Sequence, residues 1–262
     1  MTSAPYTVLD QPMAGVVRLS LARPDSLNAL SSEMMEDLLA RLQHIARDPH
    51  CRVLVLAAQG KAFSAGHDLR EMRTHPDLAF YQNLFAQCSR LMVALQQLPQ
   101  PVIAQIQGIA TAAGCQLVAM CDLAVASSTA RFAVSGINYG LFCSTPSVAL
   151  SRNVGRKKAM EMLLTGDFID AAQAEREGLI NQSVPPEQLE QAVAQLCQKI
   201  VAKPPASVRL GKALFYQQLE LGIAAAYQLA GQTMACNMMD EAAQEGFQAF
   251  LDKRAPEWSK PE

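Results

Sequence analysis

The sequence predicts an α/β fold built on a largely parallel sheet, with an all-helical C-terminal third. Three observations carry that expectation. Over the first two thirds of the chain, short β-branched and leucine-rich runs alternate with segments of helical period; after Cys143 almost only the helical period remains; and half of the 262 residues are apolar, enough to fill one core. A chain of this length is long for one domain and short for two, so the expected division is a core over residues 1–200 and a smaller helical region over 201–262.

Residues 16–21 (VVRLSL) and 52–57 (RVLVLA) read as buried strands. Between them Ser31 is placed to cap a helix that carries Met35, Leu38, Leu39, Leu42 and Ile45 on one face, with Glu33 and Glu36 near its positive end. A longer helical spacing over 77–98, marked by Leu84, Phe85, Cys88, Leu91 and Leu95, is closed by Pro99 and Pro101. The next strand is VIAQIQ at 102–107, where Ile103, Gln105 and Gln107 alternate and so suggest a wetter face or an edge. Gly108 then leads into TAAGCQLVAMCD, which reads as a turn entering a short buried helix, and strands follow at 122–127 and 131–134.

Beyond Cys143, Ser144 or Thr145 is expected to cap a helix with Pro146 in its first turn. Helices are expected at 156–164, 170–177, 187–202, 206–222, 224–239 and 240–253, punctuated by Gly166, Gly178, Pro204 and Pro205, with INQSV at 180–184 the one strand-like interruption. A tail rich in Leu, Met and Ala reads either as a docking surface between subunits or as a plain helical cap.

The formal net charge is −2 and the lysines and arginines are scattered, which argues against nucleic-acid partners. Apolar runs fall short of the ~20 residues a membrane helix needs, so no membrane insertion is expected. The opening MTSAPYTVLDQP lacks a basic segment leading into an apolar one, and a cytoplasmic protein is the expectation. Seven cysteines, with no C-x-x-C pair, read as reduced buried thiols, and neither a metal site nor a prosthetic group is expected.

Two segments are suited to presenting backbone N–H groups. In AFSAGHDL the glycine allows a sharp turn that leaves the amide of His67 free to point into a cavity. In GIATAAGC the small side chains of Ala112, Ala113 and Gly114 permit close approach to a helix N-terminus. Two converging amides suit an oxyanion or enolate. Each segment also reads as a mere tight turn.

In this order, together with RPDSLNAL at 23–30, KAFSAGHDLREM at 61–72, QGIATAAGCQLVAMCDLAVAS at 107–127, GRKKAMEMLLTGDFIDAAQAEREGLIN at 155–181 and EGFQAFLDKRAPEW at 245–258, the chain resembles the crotonase, or enoyl-CoA hydratase/isomerase, family. The resemblance implies a crotonase-like α/β spiral of ββα units, a helical C-terminal trimerisation region, and a homotrimer or dimer of trimers. It implies a coenzyme A thioester as substrate or ligand, in the setting of fatty acid metabolism. The family's oxyanion hole falls on the backbone amides of His67 and Ala113. Coenzyme A is implied along Arg23, Ser26, Leu27, Ala29, Ala65, Asp68 and Leu69, with Phe250 and Lys253 at the nucleotide end, often from a neighbouring subunit. Lys253 reads equally as a solvated cation ending a helix.

The departures from the family pattern concern proton transfer. Its two glutamate positions hold Gln116 and Gly136, neither able to move a proton, as in a subgroup of enoyl-CoA hydratase domain-containing proteins that lack the pair. Ordinary hydration is therefore expected to be poor. His67 is a substitute by its pKa range, Asp68 and Glu71 are near in sequence, and Cys143 stands before an expected helix start, where a dipole would lower its pKa. Cys143 reads more readily as a buried, inert thiol. The expectation is an enzyme acting on an acyl-CoA thioester, a lyase or isomerase by family, with a non-catalytic acyl-CoA-binding homologue as the alternative. A serine hydrolase using Ser64 or Ser144 finds no G-x-S-x-G elbow, and a dinucleotide-binding protein finds no G-x-G-x-x-G.

Overall fold

The computed structural model describes residues 5–259. Residues 1–4, at the head of the segment read for a leader, and 260–262, at the end of the helical region, lie outside the described residues.

Strands β1 (Thr7–Met13) and β2 (Val16–Leu21) pair antiparallel and lead to helix α1 (Ser32–Ala46). The Ser31 hydroxyl caps α1 as expected, accepting from Met34 N at 3.2 Å, and the helix buries Met34, Met35, Leu38, Leu42 and Ile45. Then come β3 (Val53–Ala58), β4 (Ala62–Ser64), α2 (Leu69–Thr74) and α3 (Leu78–Gln97). The pattern repeats as β5 (Val102–Ile106), β6 (Ile109–Thr111) and α4 (Ala113–Met120), and again as β7 (Leu123–Ser127) and β8 (Arg131–Ala133) followed by α5 (Ser144–Asn153) and α6 (Arg156–Thr165). From β3 to β8 the first strand of each pair enters a six-stranded sheet, which also holds β1 and β2, and the second a four-stranded one, so the chain winds as a spiral of ββα units.

Short elements complete both sheets: β9 (Ile169–Asp170), α7 (Ala171–Arg176), β10 (Gln182–Val184) and α8 (Leu189–Val201). The large sheet runs β1-β2-β3-β5-β7-β10 and the small one β4-β6-β8-β9. Pairing is parallel throughout except at the β1–β2 and β8–β9 margins, which bears out the predicted parallel sheet.

The main core lies where α1, α3 and α4 pack with the strands around Leu19, Leu54, Phe63, Leu91 and Phe132. On the opposite face of the large sheet, Val53, Val55, Ile103 and Val125 meet Leu189, Val193 and Cys197 of α8. This second layer corrects one expectation. Strand β5 is interior, paired with β3 and β7, and its Ile103 is buried under α8, so it is no edge, while Gln105 and Gln107 of the same alternation are half-buried and agree with the wetter face.

A second correction concerns α5. Its N-cap position is Cys143, with no side-chain cap bond, while the Ser144 hydroxyl donates backwards to Phe142 O at 3.3 Å. Neither Ser144 nor Thr145 is the cap, because the helix begins one residue earlier than the sequence suggests. Strands β1, β4 and β6 and helix α2 are unforeseen; three residues of strand have no period to detect, and β1 is an edge strand with an exposed middle and Pro12 within it.

Helices α9 (Pro205–Leu219), α10 (Ile223–Met238) and α11 (Glu241–Leu251) form the C-terminal region. It is fastened to the core by Lys212 and Tyr216, which reach Asp122 at 2.7 and 2.8 Å. Among the described residues no helix is long and apolar enough to cross a membrane.

Candidate functional site

The site begins with two loops laced together. Asn28, buried and left-handed at φ 51°, accepts from Arg23 N and donates to Gln59 O and Ala62 O, each at 2.9 Å. Ala65 N donates to Leu27 O, and Leu30 N donates to Gly66 O at 2.7 Å. Asp68 N returns to Leu30 O, closing a parallel bridge between Leu30 and His67. In that pattern Gly66 and Asp68 supply the bonds, so the N–H of His67 between them faces the other way.

That free side meets the start of α4. Gly66 has φ +87°, and a Cβ on it would lie 2.9 Å from Ala112 Cβ and 3.0 Å from Ala113 N, so only glycine fits this contact. Ala113 is the first residue of α4, where a backbone N–H has no acceptor within the helix. Ala112 holds φ 50°, ψ −122°, a combination that belongs to glycine in a type II′ turn.

His67, Ala112 and Ala113 line one cavity of about 240 Å³. Leu69, Met72 and Phe85 contribute on one side, and Ser135, Gly136, Tyr139 and residues 141–146 on the other. The His67 ring packs edge-on against Phe85 with centroids 5.4 Å apart, and its Nε2 is buried without a hydrogen-bond partner. Burial holds this imidazole at a pKa of about 4, so it is neutral near pH 7 and a weak base.

The two positions that lack glutamates differ in kind. Gln116 lies on α4, buried, with Oε1 4.0 Å from Cys88 Sγ of α3, and it does not line the cavity. Gly136 does line it, but a Cβ there would sit 2.5 Å from Leu141 O and 2.8 Å from Cys143 Sγ, since the following loop folds back upon it. Cys143 Sγ accepts from Gly136 N at 3.3 Å, and burial raises its pKa, which favours the buried, inert thiol over activation by the helix start.

The remaining polar candidates have structural partners. Asp68 caps α2, accepting from Arg70 N at 2.8 Å and Glu71 N at 3.3 Å, and Glu71 binds the backbone N–H and hydroxyl of Ser32. Neither lines the cavity. Ser64 donates to Asn28 O and accepts from Gly66 N, and like Ser144 it has no histidine partner, which removes the hydrolase reading.

Of the residues expected along coenzyme A, Ala65 and Leu69 line the cavity. Arg23 stacks its guanidinium 4.8 Å over Tyr6, Ser26 donates to Arg23 O at 3.2 Å, and Leu27 and Ala29 belong to the same laced loop. Phe250 lines a separate groove of about 480 Å³ with Met234, Phe247 and Trp258, and Lys253 is exposed beyond α11, so a single chain does not bring either to the first cavity. Asn28 is the site residue that sequence reading missed. Its signal is present in SLNAL, since Asn both tolerates the left-handed region and bonds backbone locally.

A two-sheet ββα spiral with an amide-bearing loop and a helix start around one apolar cavity is a crotonase-type architecture. The chain belongs to the enoyl-CoA hydratase/isomerase family: the family model of that description matches residues 11–261. It is 44% identical to the rat (Rattus norvegicus) protein named enoyl-CoA hydratase domain-containing protein 3, mitochondrial, over 98% of this chain and 86% of that one. The human protein of the same name is 42% identical, over 98% and 85%. Among solved structures, an enoyl-CoA hydratase of Mycobacterium smegmatis superposes with a TM-score of 0.96 at 58% identity, covering 98% of this chain and 100% of that one. Human enoyl Coenzyme A hydratase domain-containing protein 3 superposes with 0.93 at 42% identity, covering 97% and 100%. The expected likeness to a subgroup of domain-containing proteins is thereby borne out. The rat and human relatives are both named mitochondrial, which overturns the cytoplasmic location expected from the N-terminal segment.

Proposed function

We propose that the protein binds an acyl-CoA thioester, seats the thioester oxygen between the backbone amides of His67 and Ala113, and stabilises the enolate formed when the α-carbon gives a proton to solvent. The supporting observation is the seating of Gly66 against Ala112 and Ala113, which draws two N–H groups to one cavity, each left unused by its own element. Amides on rigid elements stabilise charge as it develops without reorganising, and removing one typically costs ~10²–10³ in rate. Coenzyme A extends along the laced loop of Arg23, Ser26, Leu27 and Ala29, past Ala65, Asp68 and Leu69. Phe250 and Lys253 of a neighbouring copy complete its nucleotide end in a homotrimer.

Hydration of crotonyl-CoA is weak in this reading. One positioned acid or base is worth ~10²–10⁴-fold, and the cavity presents no carboxylate. The same neutrality favours a second reading, a non-catalytic acyl-CoA binder. Butyryl-CoA incubated with the protein in D₂O separates them, with deuterium at the α-carbon followed by mass spectrometry beside a binding titration. Exchange that is lost in Ala113→Pro while coenzyme A binding persists supports enolate stabilisation, since proline at a first helical position removes the N–H donor. Binding without exchange moves the conclusion to the second reading, and no binding of any thioester overturns both.

A further inference from the structure

We infer that the acyl group taken by this cavity is neutral, and that an acyl group ending in a carboxylate is excluded; the inference rests on acyl-CoA binding as proposed above. Among the described residues no Asp, Glu, Lys or Arg lines the cavity. Three of its hydroxyl and thiol groups are engaged by the protein itself: the Ser135 hydroxyl pairs with Thr111 Oγ1 at 2.8 Å, Cys143 Sγ accepts from Gly136 N, and the Ser144 hydroxyl donates to Phe142 O. Tyr139 and Thr145 add hydroxyls but no charge, and the imidazole of His67, the one lining group able to become a cation, is kept uncharged by its own burial. A carboxylate carried inside would have no cation to meet, and desolvating an unpaired ion is strongly unfavourable.

The lining favours an uncharged hydrocarbon chain. Leu69, Met72, Phe85, Leu141 and Phe142 give such a chain apolar contacts along its course. Each methylene moved from water to that lining tightens binding about fourfold.

The test compares coenzyme A, butyryl-CoA, octanoyl-CoA and suberyl-CoA by calorimetric titration of the full chain at neutral pH. Octanoyl-CoA is expected to bind at least ~10-fold more tightly than suberyl-CoA, which carries the same carbon count and a terminal charge, with suberyl-CoA no better than free coenzyme A. Suberyl-CoA within about twofold of octanoyl-CoA overturns the inference while leaving acyl-CoA binding intact. Failure of coenzyme A and every thioester to bind overturns the functional reading instead. Leu141→Lys places a cation at a half-exposed position of the lining and is expected to narrow the octanoyl-to-suberyl ratio about tenfold; an unchanged ratio overturns the placement of the chain in this cavity.

Discussion

His67 shows how one residue couples a site to stability. Its folded pKa of about 4 lies below the ~6.5 of an unfolded histidine, so the unfolded chain binds the extra proton first as pH falls. The stability associated with the neutral ring is complete above pH ~6.5 and is lost as pH falls through about 4, by on the order of 3 kcal/mol. Urea denaturation at pH 7.5 and 4.5 checks this: the loss between the two is expected to shrink by that order in His67→Phe, which keeps the edge contact with Phe85. Gly136 carries a second prediction. Because the loop fills the space beyond it, Gly136→Glu is expected to destabilise by ~1–3 kcal/mol. It is also expected to leave crotonyl-CoA hydration unrestored, measured by loss of the enoyl absorbance. The sequence revealed that a carboxylate is missing at Gly136, but its spacing held no trace that the backbone had closed over the vacancy.

At the scale of elements, Asp122 joins core to C-terminal helices. Its carboxylate takes Val102 N at 2.6 Å, Tyr216 OH at 2.8 Å and Lys212 Nζ at 2.7 Å, while Lys212 also donates to Leu95 O and Gln100 O. Burial lowers the Lys212 pKa and raises that of Tyr216, with Asp122 opposing the first shift and adding to the second. Lys212→Met strands a mostly buried carboxylate and is expected to cost ~3–5 kcal/mol in denaturant unfolding. Adding Asp122→Asn should recover part of that loss, because the uncompensated charge is what is expensive. This junction was hidden in the sequence, since an Asp and a Lys separated by some ninety residues announce no pairing. Two helix boundaries were legible by contrast: Ser31 and Gly166 stand where a cap and a stop were expected, because capping is local chemistry. Strands β4 and β6 were not, although both lie inside the segments singled out for their amides.

For the whole molecule, α9–α11 leave Phe215, Leu219, Ile223, Tyr227, Met234 and Phe247 exposed. So much apolar surface on one helical region is characteristic of an association face. Light scattering of the purified protein is expected to give three times the 28.4 kDa chain mass, or six times it. Ile223→Asp with Phe215→Asp is expected to shift that mass toward the single chain, and a wild-type monomer would remove the neighbouring copy from the proposed site. The subunit-docking reading of the tail came from composition alone, whereas the direction of its faces needed the fold.

Ala112 sits in a backbone region that costs an L-residue ~1–3 kcal/mol, and its methyl group rests against Gly66 at the floor of the cavity. The chain thus keeps a small wedge under tension at the spot where a thioester oxygen would arrive. Ala112→Gly should release it: melting temperature is expected to rise by a few degrees, while the loosened turn lets the Ala113 amide wander and so weakens the grip on the carbonyl. Robustness and aim are opposed in that single methyl.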